Sequence, residues 1–373
     1  MKKELLMATA LVSTLGAASV AQAVTATMSG SMKIGAEFDS PESGVDTQNV
    51  IDLSNFSVSL SETTDAGTTI SSSFGVIDEG ASDIGDDDNA LKLTFTDGSA
   101  VELLNAGNAS GTHAVSVPGA SGEQGVGGTT TNNAPTGIDF AAGSTPLGVE
   151  WHSAADFMMD GLKVSASYST DSGAAKGATA VLDSSYGIGG TYVTSAGDTA
   201  VTIGAGLSGS EISNTGAQSS ANQGGMHVGV SAVTGDLTIA LAYADGDTFE
   251  NVAAGGSNTT VTGSVTKAGV KYVTGDLTLQ VGATSGESKD YTFAAAQGDG
   301  DDSHDEVDGS ITYAVASGVS AVLGYTTVDQ NDDGASDTTG GSAWYVGAST
   351  VSYTHLRAHE TRGNGVCRVV REK

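Results

Sequence analysis

An alternation of apolar and polar residues with a period of two recurs along this sequence and constrains its fold more than any other feature. In residues 25–38, Met28, Met32, Ile34 and Phe38 share one parity, whereas the other parity holds only Thr, Ser, Lys, Gly and Glu. Because successive side chains of a strand point to opposite faces, this segment is predicted to be a strand with one apolar and one polar face. It is also longer than a typical strand of a soluble protein.

The same pattern predicts sixteen strands, at 25–38, 50–61, 68–77, 90–96, 99–105, 148–155, 162–169, 185–193, 200–208, 225–233, 237–244, 262–273, 277–284, 307–315, 319–326 and 343–350. Every second connection is a short turn such as Asp97-Gly98 or Thr234-Gly235-Asp236, and the others are long and polar. We therefore predict an all-β fold, a 16-stranded antiparallel transmembrane β-barrel with short periplasmic turns and long extracellular loops.

Aromatic residues are sorted by strand direction. On the predicted apolar face, seven lie at the extracellular end and three at the periplasmic end; they are Phe38, Phe74, Tyr168, Tyr186, Tyr243, Tyr325 and Trp344, and Tyr192, Tyr272 and Tyr313. Two girdles of this kind are expected where a barrel wall meets the two membrane interfaces.

The N-terminus predicts export from the cytoplasm. Lys2 and Lys3 precede an apolar run from Leu5 to Val20, and Ala21-Gln22-Ala23 forms an A-x-A site. These are the parts of a secretory signal peptide over residues 1–23, with cleavage near Ala23. The formal net charge of −30 makes nucleic acid an unsuitable partner, because phosphate binding requires clustered Lys and Arg.

A barrel of sixteen strands is too wide for side chains to fill, so the apolar face is predicted to meet lipid and the polar face to line water. The lysines within predicted strands all have the polar parity; they are Lys33, Lys92, Lys163, Lys267 and Lys271. A lysine facing lipid near the membrane centre would cost about 2–4 kcal/mol. We therefore predict a water-filled channel for passive diffusion of small hydrophilic solutes and ions.

The order of these features resembles the 16-stranded general diffusion porins of alphaproteobacteria. The resemblance is carried by the long first strand, the hairpin NFSVSLSETTDAGTTISSSFGV, a longest loop after the fifth strand, and AWYVGAST at the start of the last strand. It implies the Gram-negative outer membrane, with its lipid and lipopolysaccharide, and a homotrimer. It also implies that the long loop folds inward as a constriction, with acidic loop residues facing basic wall residues.

The longest connection, residues 106–147, is accordingly predicted to narrow the pore. Lys33, Lys92 and Lys163 on the opposing wall would then set a transverse field with Glu123 or Asp139 of the loop. Because acids greatly outnumber lysines, mild cation selectivity is expected.

No cofactor is required by this function, but one loop suggests calcium. Asp329, Asn331 and Asp333 stand at alternate positions before Gly334, as in the opening of a calcium-binding loop. The acid expected at the twelfth position is absent, since that residue is Gly340.

The chain carries no recognisable enzyme motif. The histidines before residue 350, His113, His152, His227 and His304, are far apart in sequence, and no nucleophile elbow accompanies them. We therefore predict that the protein is not an enzyme. Two alternatives are a substrate-selective channel on the same fold and a secreted acidic β-rich surface-layer or adhesin protein.

The last 23 residues, 351–373, differ from the rest. All four arginines and the only cysteine, Cys367, lie there. The segment VSYTHLRAHETRGNGVCRVVREK is similar to translated sequencing-adapter sequence, so we interpret residues 351–373 as a non-native tail. The barrel is then predicted to occupy residues 24–350 and to lack its terminal aromatic residue.

Overall fold

The computed structural model describes residues 24–42, 44–78, 91–104, 106–120, 148–170, 181–213, 221–250, 259–292, 301–331 and 340–357. Sixteen strands fill most of them: β1 Thr25–Pro41, β2 Thr47–Thr63, β3 Thr69–Asp78, β4 Leu91–Thr94, β5 Ala100–Leu103, β6 Val149–His152, β7 Leu162–Thr170, β8 Val181–Ala196, β9 Thr199–Ser213, β10 Ala221–Thr234, β11 Leu237–Glu250, β12 Thr259–Thr274, β13 Leu277–Thr292, β14 Asp301–Ala316, β15 Val319–Asn331 and β16 Gly341–Arg357. Within these ranges, no helix has the length and apolarity needed to cross a membrane.

Each strand pairs antiparallel with its neighbours in sequence, and β16 pairs with β1 to close the barrel. Closure leaves no free sheet edge, so the backbone hydrogen bonds of the wall are made within the protein. The predicted fold class and all sixteen strands are confirmed. Most strands run several residues further toward the long loops than predicted, because backbone pairing continues where the apolar pattern has ended.

The two faces of the wall differ as the alternation predicts. Ile188, Leu207 and Val281 are exposed by more than half on the outside, at 54%, 55% and 57%, although they are large and apolar. Both girdles are present: Tyr168 pairs with Tyr186, and the rings of Tyr325 and Trp344 lie 4.4 Å apart, near the long loops. Near the short turns, Tyr272 and Tyr313 are exposed on the same face. This outer face suits lipid.

The short connections are tight hairpin turns. Gly235-Asp236 joins β10 to β11, and Gly275-Asp276 joins β12 to β13. Each glycine has a positive φ, of 55° and 58°, at the first of the two turn positions, as type II′ turns require. The longest connection at this end is the one between β6 and β7, residues 153–161.

The last strand runs past the predicted end of the barrel. β16 continues to Arg357, seven residues beyond Thr350, and Thr25–Ser31 of β1 pair with Val351–Arg357. The physical reason is that β1 starts at Thr25, so its first seven residues need a backbone partner to close the wall. The register pairs Gly30 with Ser352 and Met28 with Thr354, so polar residues occupy positions where the apolar pattern would continue. The origin of this segment stays an interpretation from sequence, and residues 358–373 lie outside the described ranges, as does the predicted signal peptide.

Candidate functional site in the barrel lumen

A segment of the longest connection lies inside the barrel. Residues 106–120, called here the docked loop, run along the wall face opposite to the exposed apolar one. The 3-10 helix Gly111–His113 contacts β7, β8 and β9, and the backbone N–H of Ala120 interacts with Asp308 of β14. The docked loop therefore follows about half of the barrel circumference. The rest of the predicted constriction, residues 121–147, lies outside the described ranges.

The buried carboxylate of Glu150 fixes the start of the docked loop. Glu150 stands on the inner face of β6 and is only 4% exposed. Its Oε2 accepts the Asn108 N–H at 3.1 Å, and its Oε1 accepts the Thr112 hydroxyl at 2.9 Å. The two oxygens of this one side chain thus hold the loop at two points, Asn108 and Thr112.

His113 is the second attachment point. Its ring is buried and bonds Thr191 Oγ1 of β8 through Nδ1, at 2.7 Å, and Ser165 Oγ of β7 through Nε2, at 2.8 Å. Burial lowers the pKa of the His113 imidazole to about 4, helped by the nearby charges of His152, His227 and Lys163. The ring is therefore neutral at pH 7.

A polar chain continues from His113 along the inner wall. Ser165 Oγ also bonds His152 Nδ1, at 2.9 Å. His152 Nε2 lies 3.4 Å from Glu102 Oε1, and that oxygen accepts from Lys92 Nζ at 2.6 Å. The docked loop is thus connected through three strands to Lys92 on β4.

Glycines on the inner face make room for the docked loop. An added Cβ at any of them would press against loop atoms, and they are Gly187, Gly189, Gly204, Gly206, Gly229, Gly269 and Gly282. At Gly189 it would lie 2.6 Å from the Ala109 carbonyl oxygen, and at Gly229 2.7 Å from Val115 Cβ. The loop backbone therefore lies directly on the strand backbones, which side chains would prevent.

A cavity of about 700 Å³ lies beneath the 3-10 helix, toward the short turns. Thr112, His113, His152 and Lys163 line its wall, and the turn residues Asp97 and Asp156 lie at its rim. Charges of both signs therefore face water directly below the docked loop.

The predicted pore residues are dispersed around this site. Lys163 lines the cavity below the docked loop, Lys92 is paired with Glu102, and Lys33 is an exposed residue of β1. Lys92 and Lys163 therefore lie beside the start of the docked loop, which is attached to Glu150 of β6, Ser165 of β7 and Thr191 of β8. Glu123 and Asp139 fall outside the described ranges, so the predicted transverse field stays a prediction.

The predicted calcium ligands are only partly described. Asp329 is exposed near the end of β15 and pairs with Asp305 of β14, whereas Asp333 lies outside the described residues, as does the side chain of Asn331. Within the described part of the chain, no group of three or more His, Cys, Asp or Glu side chains is arranged to hold a metal ion. The calcium site stays a prediction.

Three histidines far apart in sequence meet at the docked loop, which spacing alone did not reveal. Besides His113 and His152, His227 of β10 donates from Nε2 to the Ser110 carbonyl oxygen at 2.8 Å. The signal that the sequence gives for His152 and His227 is that both stand at inward-facing positions of their strands, β6 and β10. His304 lies elsewhere, 3.4 Å from Glu306 on β14.

One family model matches most of the chain, and solved structures share its fold. The family model described as Gram-negative porin matches residues 8–355. The trimer form of OmpT, an outer membrane protein of Vibrio cholerae, is 15% identical with a TM-score of 0.60, over 89% of this chain and 100% of that one. The anion-selective porin from Comamonas acidovorans is 12% identical with a TM-score of 0.61, over 88% and 100%. At these identities the structures show the fold alone. No curated protein matches the sequence.

Proposed function

The chain belongs to the Gram-negative porin family and forms an outer-membrane diffusion channel, and we propose that small hydrophilic solutes and ions pass the docked loop with a mild preference for cations. This family and the closed wall indicate a channel and not an enzyme. The observation that supports the proposal is a loop lying along the inner wall of a closed 16-stranded barrel, where it restricts the lumen.

The charges of the lumen favour cations weakly. The described inner face carries six acids, Glu37, Asp39, Glu102, Glu150, Glu306 and Asp308, and five lysines, Lys33, Lys92, Lys163, Lys267 and Lys271. The ion pair Lys92–Glu102 cancels one of each. The long loops add many more acids, and a region of one sign concentrates counter-ions. The anion selectivity of the Comamonas acidovorans porin does not oppose this, because shared fold at 12% identity does not set the sign of charge.

Reversal potentials in planar bilayers across a KCl gradient test the sign. We expect a modest potential of the sign for K⁺ over Cl⁻, falling as salt rises, because the Debye length shrinks to about 3 Å at 1 M. Lys163→Gln should increase the preference, since it removes a cation from the water-filled cavity. A clear Cl⁻ preference of the unmodified channel would refute the proposal.

We also infer that the protein is a homotrimer, and the outer face of β2 supports this. Asp52 of β2 pairs with Ile34 of β1, so both residues lie on the outer face. Ile34 is 50% exposed there and lies four residues from Phe38 of the outer aromatic girdle, toward the membrane centre. Ser54 pairs with Met32 on the same face. Charged residues facing lipid near the membrane centre are unfavourable, so protein is the better cover for this part of the wall. A second copy of the chain meets that need, and OmpT of Vibrio cholerae, which shares the fold, has a trimer form.

A bulky residue within this face should weaken the trimer. For Ser54→Trp we expect a shift toward monomer in light scattering of detergent-solubilised protein, because the side chain would separate the packed walls. Ala268→Trp is the matched control, since Ala268 is exposed on the outer face of β12, paired with Leu241, and should stay trimeric. Equal oligomeric states for the two variants would place the contact elsewhere.

A further inference from the structure

We propose that the β6–β7 connection, residues 153–161, anchors the barrel to the periplasmic leaflet of the membrane, with the side chains of Met158 and Met159 inserted among the lipid chains close to the headgroups. This surface lies on the outside of the barrel, so it is independent of the ions that pass the docked loop. Its partner is a phospholipid surface.

The tip of this connection exposes two long apolar side chains. Met158 is 88% exposed and Met159 is 52% exposed. The short turns at the same end of the barrel carry glycine and aspartate instead, as Gly197-Asp198 does between β8 and β9. Apolar side chains grouped on a surface mark a place where a protein meets a partner or a membrane.

The backbone of Met158 is unfavourable as well. Its φ is 64°, in the left-handed region, where glycine and asparagine are far more common than residues with long side chains. Conformations of this kind persist only where the surrounding structure holds them, and they are concentrated at functional sites. In water, Met158 therefore carries two costs, the strained backbone and the exposed side chain. Insertion of the side chain into an apolar medium offsets them.

Hydrogen bonds and one ring contact hold the connection against the outside of the wall. Asp156 Oδ1 accepts the Gly161 N–H at 2.7 Å, and the Phe157 N–H donates to the Leu162 carbonyl oxygen at 2.8 Å. The Phe157 ring meets the ring of Trp151 edge-on, with 5.8 Å between their centroids. Phe157 precedes the two methionines directly, so the tip is presented on the side of the wall where Trp151 stands.

The wall around the tip is part of the lipid-facing surface. Trp151 is exposed on the outer face of β6, and Leu162, which follows the connection, pairs with Tyr192 of the periplasmic girdle. Aromatic residues at this level mark the boundary between hydrocarbon and headgroups. Met158 and Met159 extend this surface, and their flexible, unbranched side chains adapt to irregular surroundings such as lipid chains. Continuity with the lipid-facing wall favours lipid over a soluble protein as the partner.

The insertion is shallow, because acids flank the methionines. Asp156 lies at the rim of the luminal cavity, and Asp160 is exposed. Carboxylates are unfavourable in hydrocarbon, so the backbone of the connection stays at the level of the headgroups and the methionine side chains alone reach the lipid chains.

Fluorescence quenching in phosphatidylcholine vesicles tests the position of the tip. A polarity-sensitive fluorophore is attached to the full chain through Met158→Cys, in a background with Cys367→Ser. We expect a nitroxide near the headgroup end of the lipid chain to quench it several-fold more than the same fluorophore at Asp198→Cys, on the tip of the β8–β9 turn. Leu207→Cys, at an exposed position in the middle of the outer face of β9, provides the reference for a deep nitroxide. Equal quenching at Met158 and Asp198 would overturn the proposal.

The stability of Met158→Asn in vesicles distinguishes a tip in lipid from a tip in water. Asparagine adopts a left-handed backbone more readily than methionine, so in water this substitution should stabilise the turn. With the tip in lipid, the loss of the apolar side chain outweighs the relief of strain, and we expect the midpoint of urea unfolding to fall. Met158→Leu keeps an apolar side chain and should retain the midpoint of the unmodified protein. A higher midpoint for Met158→Asn would refute insertion, and a fluorophore shielded from both the lipid nitroxide and aqueous iodide would show that protein covers the tip instead.

Discussion

A valine in place of Gly204 is expected to lower the single-channel conductance and to increase closures at neutral pH. Gly204 lies on the inner face of β9, where an added Cβ would collide with the His113 carbonyl oxygen and meet Val115 Cγ2 at 3.0 Å. The carbonyl belongs to the backbone and cannot rotate away as a long side chain could. The docked loop must therefore move inward, and forced repacking of this kind costs about 1–3 kcal/mol. This loss of stability is confined to the docked loop, because the outer face of β9 is unchanged.

Gly190→Val is the matched control for this substitution. Gly190 pairs with Ala205, one residue from Gly204, but it belongs to the outer face of β8. Its added Cβ would have no neighbour nearer than 3.4 Å, at the Lys163 carbonyl oxygen and Val164 Cγ1. Normal conductance in Gly190→Val with reduced conductance in Gly204→Val supports a loop docked on glycine. Indistinguishable conductances would mean that residues 109–115 do not restrict the pore.

Removal of residues 351–373 is expected to abolish assembly, whereas removal of residues 358–373 should be tolerated. The first deletion leaves Thr25–Ser31 of β1 without a partner on one side, because they pair with Val351–Arg357. Each backbone group exposed to hydrocarbon costs several kcal/mol, so an open seam is not stable in a membrane. The second deletion keeps all of β16. The shift in gel mobility between heated and unheated protein, typical of folded barrels, measures the outcome.

Substitutions within the paired segment Val351–Arg357 provide a control for the same experiment. Leucine at Ser352 and valine at Thr354 would place apolar residues at the positions that pair with Gly30 and Met28. If the closing strand is needed, these substitutions should preserve or improve the yield of folded barrel. Folded barrel from the chain ending at Thr350 would show that residues 351–357 are dispensable, as the sequence interpretation of a non-native tail had suggested.

The wall of the barrel could be predicted because its information is local. Alternation in segments such as Leu237–Ala244 identifies a strand and its two faces without reference to any distant residue. The turns carry their own signal in Gly235 and Gly275. Closure adds only the pairing of neighbours in sequence and of β1 with β16, which the count of strands and the alternating connections already suggest.

Inward-facing residues of β2 mark the limit of this reasoning. Leu53 pairs with Lys33 and Ile51 with Gly35, so two apolar residues share the inner face with a lysine, while Asp52 shares the outer face with Ile34. Local alternation divides the residues of such a strand between two faces, but it does not tell which face points into the lumen. The register to β1 decides it, because paired residues must lie on one face.

The sequence by itself determined the class of fold, the sixteen strands, the girdles and the apolar exterior, since each depends on periodicity within one segment or on adjacent hairpins. Only the tertiary structure decided which side chains and which loop occupy the lumen. Glu150, His113 and His227 are separated by dozens of residues, and barrel closure places their strands around one loop. Likewise, the glycines beneath the docked loop have no apolar periodicity to reveal them, because their role is the absence of a side chain where another backbone approaches.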